Sequence, residues 1–132
     1  MDKEHYTNTA FQLLFLLRQQ RYLYHQLKIL TDRQKQLSET NSPEQLLEII
    51  NGRRKLIEKL RQTDGKLRPI KTNWGKLSRH IGLEHRKKAY DLVNQVQKLV
   101  TEISTSCPPE MIQQLPSNEA WEFNEVFAKK QH

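Results

Sequence analysis

Five histidines and one cysteine are the residues best suited to hold a metal or attack a substrate, and their spacing suits neither task. His5, His25, His80, His85 and His132 contain no i,i+4 pair. His80 and His85 stand five apart across Gly82, a poor arrangement for two metal ligands on one helix face. Cys107 precedes Pro108-Pro109 and has no nearby base to activate it. The chain has no Cys-x-x-Cys, no glycine-rich phosphate loop and no nucleophile elbow. Acidic residues fall on helix faces, where solvation is the simplest reading. The chemistry left is that of binding, so the reading is a non-enzyme with no cofactor and no metal.

Three features bear on binding. The formal charge is +7, but residues 53–88 hold thirteen Lys/Arg against three acidic residues, a net of +10, and the remainder has nine against twelve, a net of −3. Within that middle, Arg53, Arg54, Lys59, Lys66, Arg68 and Lys71 mark a basic surface. Simple solvation is the first reading of these cations, and contact with phosphates or with an acidic protein surface are the alternatives. At 3.6 residues per turn they spread round most of the helix, and no recognised nucleic-acid motif accompanies them. Second, Gln20, Gln34 and Arg53 sit at seam positions, where polar residues either fix register or mark a shallow, wet seam. Third, Trp121, Phe123, Val126 and Phe127 gather aromatic surface beyond a proline-rich break. These four are the candidate partner-binding residues, and folding back onto the chain's own helices is the alternative.

The elements expected to position these residues are all helical. From about residue 9 to 39, Leu13, Leu16 or Leu17, Gln20, Leu23, Leu27, Leu30, Gln34 and Leu37 step by three and four. Phe11, Phe15, Tyr22 and Tyr24 are expected to widen that apolar face near its start. Ser42, Pro43 and Gln45 supply a capping-box start after a short turn, so the second helix, about 43–81, should run antiparallel to the first. Its stripe is Leu46, Ile49/Ile50, Arg53, Leu56/Ile57, Leu60, Thr63, Leu67 and Ile70, continued by Trp74, Leu77 and Ile81. Gly65 and Pro69 predict a kink, because Pro69 cannot donate to the carbonyl four residues earlier. A third helix, about 83–104, carries Tyr90, Val93, Val96/Gln97, Val100 and Ile103. The expected fold is all-α, an antiparallel long-helix hairpin or three-helix bundle over residues 1–106. A proline-interrupted tail, 107–132, would hold a short amphipathic helix at about 118–128.

Composition agrees with thin helices and narrow seams. Hydrophobic residues make up 36% of the chain, against roughly 45–50% in ordinary globular domains on a count that includes Gly. No apolar run nears the roughly 18 residues a membrane span needs. The opening Met1-Asp2-Lys3-Glu4-His5 has no basic n-region of a signal peptide, and one cysteine forms no internal disulfide. A cytoplasmic protein without membrane insertion is the expectation.

The segment "LLFLLRQQRYLYHQLKILTDRQKQL", a short turn, and then "SPEQLLEIINGRRKLIEKLRQTDGKLRPIKTNW" resemble the FlgN-like flagellar export chaperones. The second helix of that family follows a leucine-leucine, arginine-arginine-x-leucine-isoleucine-x-x-leucine pattern. Here it is carried by Leu46-Leu47, Arg53-Arg54, Leu56-Ile57 and Leu60, with "LRP" (67–69) and Trp74 beyond it. The resemblance covers about residues 10–103 and carries over no client-contact residue. It implies a small cytoplasmic helical chaperone that masks the amphipathic terminal helix of a hook-filament junction subunit and brings it to the type III export apparatus. A basic helical nucleic-acid-binding protein and a structural coiled-coil adaptor are the alternatives. Long seams with polar insertions often self-associate, which allows a homodimer.

Overall fold

The computed structural model describes residues 3–40, 42–106 and 113–115. They form α1 (Lys3–Thr40), α2 (Pro43–Thr72), the single turn α3 (Trp74–Leu77) and α4 (Leu83–Ser106), with no strand among the described residues. The all-α expectation holds. α1 packs along both α2 and α4, whereas α2 and α4 do not approach each other closely along their backbones. α2 runs antiparallel to α1. α4 runs parallel to it, as three pairs of side chains 74 residues apart demonstrate: Phe11 with His85, Arg21 with Gln95, and Lys28 with Glu102.

The leucine seam explains why these helices pack as they do. Leu13, Leu16, Leu17, Leu23 and Leu27 are all buried on one side of α1, opposite Ile49, Ile57, Leu60, Leu67 and Ile70 of α2. Two apolar clusters result. One joins Ala10, Leu13, Leu14, Leu16 and Leu17 to Leu67, Ile70 and Trp74 and to Ala89, Leu92 and Val93. The other joins Leu23, Tyr24 and Leu27 to Ile57, Leu60, Val96 and Ile103, with Leu56, Leu99, Val100 and Leu115 packed round it. Burying such side chains contributes roughly 1.5–3 kcal/mol apiece. Polar seam residues are satisfied locally. Thr31 and Thr63 are buried and donate to the carbonyls of Leu27 and Lys59, four residues back, at 2.8 and 2.9 Å.

Two sequence expectations are corrected here. Ser42 does occupy the N-cap of α2 with Pro43 following, but its hydroxyl makes no capping hydrogen bond. The second helix also ends at Thr72 instead of running on to residue 81, while it continues unbroken through Gly65 and Pro69. Gly65 and Pro69 both lie on the solvent side of α2, where water can serve the carbonyl that Pro69 leaves without a donor. The stop belongs to Asn73. Its backbone N–H and its side-chain amide both donate to the Pro69 carbonyl, at 3.2 and 3.0 Å, and its φ and ψ of −98° and 14° leave the helix. Trp74 then turns wholly into the core, 0% exposed. α1 also begins earlier than expected, at Lys3, and α4 runs two residues further, to Ser106.

Candidate partner-binding surfaces

Phe11, Phe15 and Tyr22 do not widen the core face of α1. They lie on its opposite side, 59%, 64% and 61% exposed, with Ile29 also exposed. At 100° per residue, Phe11, Phe15, Arg18, Tyr22, His25 and Ile29 fall within roughly 40° of one line. Their steps of four, three, four, three and four are those of a coiled-coil seam. The stripe is about 27 Å long. Of the four aromatic residues expected to face the core, only Tyr24 does so, and its phenol is pushed up to about 12 by burial and, secondarily, by the charge of Asp64. Phe11 meets the edge of the His85 ring, with centroids 5.3 Å apart.

One flank of this stripe is fixed by α4. Arg21 donates to Gln95 at 2.7 Å, and Lys28 pairs with Glu102 at 2.7 Å. The hydrogen bond and charge of Glu102 hold the Lys28 ammonium above its ordinary value, and the same bond holds the Glu102 carboxyl below its own. Between these ties lies a cleft of about 470 Å³ walled by Tyr22 and His25, with Leu99 behind them. The cleft offers apolar surface beside anchored charges and no acid–base pair aimed at a common point.

The basic residues divide. Arg53 is half-buried and bonds Gln34 across the α1–α2 seam, so two of the polar seam residues answer each other. Arg54, Lys59, Lys66 and Arg68 are exposed, and Lys71 is half-buried. Lys59 and Lys66 share one side of α2. Arg54, Arg61 and Arg68 recur at seven-residue steps on another, where Arg68 pairs with Asp64 at 3.1 Å and Arg61 donates to the Gln114 carbonyl at 3.2 Å. Trp121, Phe123, Val126 and Phe127, like Cys107 and the expected helix at 118–128, lie outside the described residues. Among the described residues no group of His, Cys, Asp and Glu could hold a metal ion, and no helix is long and apolar enough to cross a membrane.

Closeness in sequence to the seam leucines is what suggests a core place for Phe11, Phe15 and Tyr22 of this stripe. Plotting the helix round its circumference separates them, since Phe15 and Tyr22 lie two positions or fewer from buried leucines yet nearly half a turn away. Compared with protein-family models, curated proteins and solved structures, the chain matches none.

Proposed function

We propose that the protein is a helical chaperone that binds an amphipathic helix of a partner protein on the outer face of α1. One observation carries this reading: Phe11, Phe15, Tyr22 and Ile29 stand exposed at coiled-coil spacing on the side of α1 that its own bundle leaves uncovered. A helix laid there would close a second seam, with aromatic anchors of the kind that dominate binding energy at interfaces. Such a role needs a rigid frame and no reacting group. The narrower form of the proposal rests on the FlgN-like resemblance of residues 10–103: the client is a hook-filament junction subunit, held in the cytoplasm before type III export.

Titration with a peptide of the terminal amphipathic helix of a junction subunit tests both levels. Binding should change less than about threefold between ~50 and ~200 mM salt, whereas phosphate contacts would lose ~10³-fold or more. Binding of that helix alone supports the narrow form. Binding only of unrelated amphipathic helices retains the general one. A protein that ignores helices but retains nucleic acid at low salt would transfer the function to the α2 cations.

A further inference from the structure

The outer stripe of α1 carries a charge pattern as well as an apolar one. Between His5 and Thr31 the helix has no Asp or Glu, and its cations there are Arg18, Arg21 and Lys28. Arg18 is exposed within the stripe itself. On α4, Lys98 stands at the level of Tyr24, since Arg21 meets Gln95 and Lys28 meets Glu102. Lys98 is exposed and lines the α1–α4 cleft beside Tyr22 and His25. Neither Arg18 nor Lys98 makes an ion pair among the described residues, and Lys98 reaches Glu102 only through its field. Glu102 is the one carboxylate in the walls of the cleft, and Lys28 already holds it. Asp91, one turn before Gln95 on α4, stands outside those walls.

This pattern selects among occupants of the stripe. A second copy of the chain laid on it would set Arg18, Arg21 and Lys28 against the same three cations, with no acidic residue on either α1 between His5 and Thr31 to answer them. A helix bearing carboxylates meets no such repulsion. The cleft of about 470 Å³ beside the stripe has Tyr22 and Leu99 as apolar walls, and it has room for a leucine or phenylalanine side chain.

Resting on the α1 stripe as the partner surface, we propose that the partner helix is acidic along one edge. Its apolar face lies on Phe11, Phe15, Tyr22 and Ile29, and one large apolar side chain enters the cleft between Tyr22 and Leu99. Carboxylates on the edge that passes over the cleft meet Arg18 and Lys98. The apolar face supplies most of the affinity, and the two cations choose which amphipathic helix is held and in which direction it lies.

Three synthetic helical peptides of about 20 residues test this, sharing one leucine and phenylalanine face and carrying Glu, Gln or Lys along one edge. Titrated into the full-length protein at ~50 mM salt, the Glu peptide should bind at least about threefold more tightly than the Gln peptide, and the Lys peptide most weakly. Arg18→Glu/Lys98→Glu should reverse the order of the Glu and Lys peptides. If that charge reversal disturbs folding, Arg18→Gln/Lys98→Gln should bring the Glu and Gln peptides within about twofold of each other. Phe15→Ala/Tyr22→Ala should weaken all three peptides. Equal binding of the three by the native protein overturns the acidic edge and leaves the stripe as a partner surface. An order that survives both Arg18/Lys98 variants overturns it as well, placing the selecting charge elsewhere. If none of the three binds, the partner surface on α1 falls together with its edge.

Discussion

The two faces of α1 are built from the same kind of residue and meet different surroundings. The inner face presents Leu13, Leu17, Leu23 and Leu27, each under 5% exposed and enclosed by α2 and α4. The outer face presents Phe11, Phe15, Tyr22 and Ile29, at equally regular spacing, to solvent. Apolar periodicity alone therefore does not say which stripe is buried; the neighbouring helices decide that. Leucine fills a closed seam in few rotamers. Exposed aromatics offer large contact area for little loss of side-chain freedom, which suits a surface that binds and releases.

The comparison can be broken most forcefully at the inner face. Leu17→Ala or Leu27→Ala should cost about 2–5 kcal/mol, the usual result of emptying a closed site. Thermal and urea unfolding would measure it, and a loss under about 1 kcal/mol would mean that the inner seam is not closed as described.

A subtler test uses Tyr24, which lies in the buried cluster. Its phenol ionises at about 12 in the fold and at 10.0 when unfolded. Stability from this group is thus complete below pH 10 and lost as pH rises through about 12. The expected loss is on the order of 2–3 kcal/mol. Tyr24→Phe should abolish that alkaline component, followed by phenolate absorbance together with helicity. An unchanged alkaline transition in the variant would place Tyr24 outside the core.

The smallest effect is expected far from either face. Gly65 is exposed in the interior of α2, and an added Cβ would meet nothing within 4 Å. Gly65→Ala should stabilise the protein by about 0.5–1 kcal/mol and leave binding at α1 unchanged. A destabilised variant would indicate that α2 needs glycine's backbone freedom ahead of Pro69.

Much of the fold was legible in the sequence because heptad-spaced leucines admit one register. Leu13, Leu60 and Ile103 are buried where their spacing puts them, and Arg53 meets Gln34 because both occupy the seam. The end of α2 was harder to read. Proline and glycine carry strong average penalties, but at exposed positions 65 and 69 water offsets them, and the break falls to Asn73, whose side chain competes for a helix carbonyl. The outer stripe was present in the sequence and was misread, since closeness along the chain says little about direction round a helix. The tail residues Trp121, Phe123, Val126 and Phe127 were legible only as apolar.

The most direct measurement sets the outer face against the inner one in a single protein. Phe15→Ala/Tyr22→Ala, prepared beside Leu17→Ala, should unfold within about 0.5 kcal/mol of the native chain, as surface changes do. The same double variant should bind a junction-subunit helix peptide at least about tenfold more weakly, as loss of two anchors implies. If it instead loses stability on the scale of Leu17→Ala, or binds the peptide undiminished, the division of α1 into a folding face and a binding face is contradicted.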